Sequence, residues 1–193
     1  MCINLFTSTI AYLIGTTTGL ILIHNRNKEK RLIGYFILFY TLVQLFEALI
    51  YYSNKKIYSR LLLINLGLQG LVFILLLNNY VPVNKVYIYI LATISIYLMY
   101  KSIQPKFLKA TTDNGMKWNF IKYDNYILLS IMYTLSFLLV YLYSNKLNYF
   151  NKLGFFLLLT YVISYYVNIS CSPSKPSIWC LSSALVAPIM LIV

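Results

Sequence analysis

The sequence predicts an all-α protein, a polytopic membrane helix bundle of about seven transmembrane helices. Three observations lead to this prediction. The 193 residues are 60% hydrophobic and only 10% charged, whereas soluble domains are about 45–50% apolar and about 25% charged. The apolar residues form seven separate runs, and most of the sixteen Lys and Arg lie in the short connectors between them. A chain of this length cannot bury such a surplus in one soluble core.

The seven runs have the lengths that membrane helices require, since a bilayer core about 30 Å thick is crossed by about 17–25 apolar residues. They cover residues 5–23, 32–52, 61–77, 86–100, 126–143, 153–167 and 178–193. The fourth, sixth and seventh are short, so six helices plus a re-entrant segment is the alternative. Most connectors are brief, which makes successive helices antiparallel neighbours in one membrane domain, residues 1–193. The first run has no basic residues before it, and we expect it to stay as an anchor rather than be cleaved.

The charges in the connectors predict what the protein contacts at its two ends. We call side A the end with the N-terminus and the connectors after helices two, four and six, and side B the opposite end. Side A carries nine Lys and Arg and side B seven, which is not the clear excess that would fix the orientation. Cations that flank membrane helices predict contact with the lipid bilayer and its anionic headgroups, and not with nucleic acid.

Helix two contains the polar residues that are hardest to explain, in the stretch YTLVQLFEALIYY at 40–52. Glu47 is the only acidic residue in any apolar run, and Gln44 lies three positions earlier on the same helix face. An ionisable group in a membrane helix costs about 2.5–3.5 kcal/mol, so it usually faces the bundle interior. Asn65 and Gln69 share a face of helix three, and the helical rise places all four side chains within about 12 Å of side A.

These residues predict a polar pocket on side A, covered by the connectors after helices four and six. Three interpretations of Glu47 stay open: hydrogen bonding between helices, a substrate or ion site, or an acid or base in catalysis. The sequence therefore does not decide whether the protein is an enzyme. The candidate pocket residues are Glu47, Gln44, Asn65, Gln69, Tyr165, Trp179 and Cys180.

Neither a metal nor another cofactor is predicted. The three cysteines, Cys2, Cys171 and Cys180, fit no zinc pattern or disulfide scaffold, and His24 is the only histidine. Gly15 and Gly19 form a G-x-x-x-G pattern in helix one, which permits close approach of two helix backbones. This packing would lie either inside the bundle or between copies of the chain, and the second case predicts a homo-oligomer.

Three fragments resemble a family of uncharacterised small multi-pass membrane proteins of large DNA viruses, algae and bacteria. They are the Met-Cys start, the Q-x-x-E pattern of helix two and the Trp-Cys pair that opens the last helix. The matching residues are Cys2, Gln44, Glu47, Trp179 and Cys180. The chain lacks the Trp that often follows Met-Cys and has tyrosine where Trp often follows the glutamate. The resemblance implies a seven-helix fold in a host or viral membrane, and no known activity.

The expected function is a small transporter or channel whose pocket around Glu47 takes a small polar solute or a proton. Two alternatives remain. One is a membrane-embedded enzyme that acts on lipid with Glu47 as acid or base. The other is a scaffold that remodels membranes by assembling through the G-x-x-x-G pattern at Gly15 and Gly19.

Overall fold

A computed structural model describes residues 5–112, 119, 123–143, 146–167 and 186–192. These ranges contain seven α-helices and no β-strand, which confirms the prediction of an all-α helix bundle. The helices are α1 Leu5–Ile23, α2 Lys28–Ser53, α3 Lys56–Asn78, α4 Lys85–Ile103, α5 Tyr123–Leu142, α6 Tyr149–Val167 and α7 Val186–Ile192.

The first four helices are long and apolar enough to cross a membrane. They contain between 19 and 26 residues, and at 1.5 Å per residue they extend for about 28–39 Å, against a hydrocarbon core of about 30 Å. Their outward faces carry large apolar side chains, among them Phe6 (68% exposed) on α1 and Ile96 (67% exposed) on α4. This is the composition expected of helices that contact lipid.

Helices α2 to α6 all begin earlier than the apolar runs of the sequence, and polar residues form the first turns of α2 and α3. The Asn27 side chain accepts hydrogen bonds from the backbone N–H groups of Glu29 and Lys30, so α2 begins at Lys28 and not at residue 32. Asn54 then ends α2 in the left-handed conformation, with φ 47°, and α3 begins at Lys56. The tight turn between them places α2 and α3 side by side.

The central helix is α2. It packs against α1 on one side and α3 on another, and it also contacts α6, while α7 contacts α1 and α6. Within the apolar windows, 61% of the residues of α2 are buried, compared with 28% for α4 at the edge. The polar side chains in the middle and second half of α2, Thr41, Gln44 and Glu47, are buried within the protein.

Glycines allow α1 and α2 to approach within backbone contact. A Cβ placed on Gly15 would overlap the Thr41 side chain, and one placed on Gly34 would lie 2.8 Å from the backbone nitrogen of Ile23 and 2.9 Å from the carbonyl oxygen of Gly19. The G-x-x-x-G pattern of α1 thus faces α2 of the same chain.

Glu29 joins the start of α2 to the start of α6 at side B. Its side chain is 2% exposed, and its carboxylate accepts the backbone N–H of Phe150 at 2.7 Å and that of Asn148 at 3.4 Å. A carboxylate at a helix N-terminus accepts hydrogen bonds from N–H groups that have no partner within the helix, and its negative charge interacts favourably with the helix dipole. Glu29 therefore caps a helix that begins 120 residues later in the chain.

We expect Gly15→Leu to lower the free energy of unfolding by about 1–3 kcal/mol, because the added side chain would force α1 away from Thr41. Thr17→Leu adds comparable bulk on the exposed face of α1 and should change stability by less than about 0.5 kcal/mol. Unfolding of the purified protein in detergent, followed by circular dichroism, measures both. Equal effects would show that the α1–α2 contact does not limit stability.

We expect Glu29→Ala to destabilise the protein by about 1–3 kcal/mol, because it leaves buried N–H groups without an acceptor. Glu29→Gln keeps an acceptor oxygen of similar size and should lose less. Hydrogen exchange at the Phe150 amide is the direct measurement, and it should accelerate in Glu29→Ala. An unchanged exchange rate there would contradict the capping role.

Candidate functional site

Glu47 and Gln44 lie in the interior of the bundle, on the half of α2 that leads to side A. Glu47 is 0% exposed and Gln44 is 1% exposed. Neither side-chain polar atom of Gln44 has a hydrogen-bond partner among the described residues. A buried amide without partners costs about 1–3 kcal/mol, so a molecule that hydrogen-bonds to Gln44 would recover this free energy.

Asn65 and Gln69, on α3, form a hydrogen-bonded pair that reaches α2. The Gln69 side-chain nitrogen donates to the Asn65 side-chain oxygen at 3.1 Å, and the Asn65 nitrogen donates to the backbone oxygen of Phe39 at 3.2 Å. The four-residue spacing, which the sequence contains, places the two amides one above the other on the helix. They bond each other and the α2 backbone, and Glu47 lies further along α2 toward side A.

Tyr133, on α5, completes this arrangement, and no pattern in the sequence indicated its role. Its hydroxyl donates to the Gln69 side-chain oxygen at 2.5 Å. Because that oxygen is occupied, the Gln69 nitrogen is directed to Asn65, and the Asn65 nitrogen in turn to Phe39. The hydrogen bonds of three helices thus run in one direction, from α5 through α3 to α2. We call the side chains of Tyr133, Gln69 and Asn65 the amide relay.

The polar side chains lie at graded distances from the side-A ends of their helices. Glu47 precedes the end of α2 by six residues and Gln44 by nine, while Asn65 and Gln69 follow the start of α3 by nine and thirteen. These separations correspond to about 9, 14, 14 and 20 Å of helix. Since α3 begins at Lys56, its amides lie deeper than the apolar run alone indicated. The four groups extend from near side A to the middle of the bundle.

The chain after α4 covers the side-A end of α3. The Lys56 ammonium donates to the carbonyl oxygen of Pro105 at 3.1 Å, and the backbone N–H of Ala110 donates to the buried Ser59 hydroxyl at 3.0 Å. Phe107 and Ala110 are themselves buried. This segment therefore lies over the end of the bundle that contains the polar residues.

One small cavity adjoins the amide relay and a second shares part of its wall, each of about 10 Å³. One lies among α2, α3, α5 and α6, next to Gln69 and Tyr133. The other lies among α2, α6 and α7, and both include Phe36, Tyr40 and Leu157 in their walls. A cavity of about 10–15 Å³ is the minimum for one water molecule, so these spaces are no larger than a single water requires.

Several predicted site residues cannot be placed. Tyr165 lies within α6, but its side chain is outside the described part, as are Trp179 and Cys180 in full, together with Cys2 and Cys171. His24 is exposed at the end of α1, where Nδ1 lies 2.8 Å from the carbonyl oxygen of Leu20. Over the described ranges there is no group of three or more His, Cys, Asp or Glu that would hold a metal ion.

Comparison with known proteins adds no relative. No family model, curated protein or solved structure matches the chain. The family resemblance carried by Cys2, Gln44, Glu47, Trp179 and Cys180 therefore stays a prediction.

We expect Tyr133→Phe to cost about 1–3 kcal/mol of stability, because it removes the donor to a buried Gln69 oxygen. Tyr100→Phe, at an exposed tyrosine of α4 (56% exposed), is the matched control and should be nearly neutral. A double-mutant cycle with Gln69→Leu, measured by unfolding in detergent, should give a coupling energy of about 0.5–3 kcal/mol. A coupling energy near zero would contradict the direct bond.

Proposed function

We propose that the protein is a small transporter or channel in which Glu47 and Gln44 bind a proton or a small polar solute within the membrane. The observation that carries the proposal is the buried Gln44 amide, whose oxygen and nitrogen have no hydrogen-bond partner among the described residues. A passing polar solute or water would supply the missing bonds.

The position of Glu47 supports the same proposal. It is the only acidic side chain in any apolar run of the sequence, it is fully buried, and it lies one helical turn from Gln44. Ionisable residues in membrane helices are costly and commonly mark ion, proton or substrate pathways. Asn65, the α3 residue of the amide relay that is nearer to side A, lies at about the same depth as Gln44. A path from side A would therefore pass the Glu47 carboxyl group first and then the amide groups.

Transport is favoured over acid–base chemistry on lipid. Catalysis of that kind usually pairs two titratable groups, one acting as acid and one as base. Glu29 is the other carboxylate whose side chain the structure describes, and it bonds the α6 N-terminus at side B, far from Glu47 along α2. Asp124 lies in the first turn of α5 at side A, with its side chain outside the described part. The cavity beside Gln69 and Tyr133, about 10 Å³ in volume, has room for about one water molecule, which supports a proton carried by water or another very small species.

The test is flux through proteoliposomes, with protons followed by an enclosed pH-sensitive dye and urea followed by light scattering. We expect the wild-type protein to carry at least one of the two, and Glu47→Gln and Gln44→Leu to reduce that flux by about tenfold or more. Such a loss corresponds to one hydrogen bond to a charged group, about 1.5–3 kcal/mol.

Ser95→Ala is the matched control for the flux measurement. The Ser95 hydroxyl is also buried, but it donates to backbone oxygens of Gly67 and Leu91 between α3 and α4, away from the candidate site. The flux of Ser95→Ala should equal that of the wild type when the liposomes contain the same amount of protein. Unchanged flux in Glu47→Gln, or no flux of either probe in the wild type, would overturn the proposal.

A further inference from the structure

A cationic surface lies at side B, where α2 and α6 begin. The ammonium groups of Lys30 on α2 and Lys152 on α6 lie 4.5 Å and 5.4 Å from the centre of the same Tyr149 ring. Both ammonium groups are therefore within about 10 Å of each other, a separation that flexible lysine side chains can close around one anion. We call Lys30, Tyr149 and Lys152 the Tyr149 patch.

The neighbouring acidic residue, Glu29, does little to neutralise the positive charge of this patch. Glu29 is buried, and its carboxylate bonds the backbone N–H groups of Asn148 and Phe150. The first turn of α2 and the residues before it add three exposed cations, Arg26, Lys28 and Arg31. Two ammonium groups held near one aromatic ring in such a field repel each other, and a bound anion would relieve that repulsion.

An exposed apolar stripe continues from the patch along α6. Phe155 is 62% exposed and Leu159 is 43% exposed. Phe155 comes three residues after Lys152, and Leu159 comes seven residues after Lys152. At this spacing all three side chains lie on one face of the helix. The surface is cationic at its side-B end and apolar along the helix. A phospholipid with an anionic headgroup at side B and an acyl chain along α6 would match both parts.

We infer that the Tyr149 patch is a binding site for an anionic phospholipid. The phosphate group lies between Lys30 and Lys152, and an acyl chain lies along Phe155 and Leu159. The apolar stripe distinguishes a lipid from free inorganic phosphate, which would use the lysines alone. This inference is independent of the proposed transport function, because it uses the opposite end of the bundle from Glu47.

The test measures binding of fluorescent phosphatidylglycerol to the whole protein in a neutral detergent, with phosphatidylcholine and inorganic phosphate as competing probes. We expect phosphatidylglycerol to bind more tightly than phosphatidylcholine, and phosphate not to displace it at equal concentration. A cation near anionic lipid is worth about 1 kcal/mol, or about fivefold in affinity. The double variant Lys30→Gln with Lys152→Gln should therefore bind about 25-fold more weakly.

Lys101→Gln is the matched control. Lys101 lies 5.2 Å from the ring centre of Tyr97 on α4, at the other end of the bundle. It reproduces a lysine–tyrosine contact, and no second lysine of the described ranges lies over that ring. Its phosphatidylglycerol affinity should stay within about twofold of wild type. An equal loss in both variants, equal affinity for the two lipids, or displacement by inorganic phosphate would each overturn the inference. All variants are compared only after their helical circular dichroism matches the wild type.

Discussion

The arrangement of this protein depends on the enclosure of α2. One side of that helix packs closely against α1 at Gly15 and Gly34. Other sides of α2 contact α3 and α6, and α7 contacts α1 and α6. A helix with most of its residues buried in this way can carry polar groups on its inward faces, because those faces do not contact acyl chains. Glu47, Gln44 and Glu29 are all on α2, and all three are buried.

The two ends of α2 use buried polarity differently. At side B, Glu29 has backbone donors at hydrogen-bond distance, and its role as a helix cap accounts for its burial. Toward side A, the α3 amides are also satisfied, by Tyr133 and by the α2 backbone, whereas the amide of Gln44 is not, among the described residues. Complete pairing is typical of groups that hold a structure together. The difference between Gln44 and its neighbours is therefore what separates a candidate binding group from structural ones.

Much of the fold could be predicted from composition, because long apolar runs separated by cationic connectors are typical of membrane helices. The helix starts could not, since Lys28 and Lys56 are polar and join their helices only through Asn27 and the turn at Asn54. Tyr133 gave no signal because the chain has 20 tyrosines, most of them in or beside apolar runs. Glu29 was indistinguishable from a connector charge, because its acceptor role depends on residues about 120 positions away.

That separation has a consequence for biosynthesis. The carboxylate of Glu29 emerges from the ribosome long before Asn148 and Phe150 have been translated, and at about 5–20 residues per second the interval is many seconds. During that time the nascent α1–α2–α3 unit holds an acidic group that has not yet met its donors. Docking of α6 supplies these donors, so the hydrogen bonds of this carboxylate can form only after the late helices pack against the early ones.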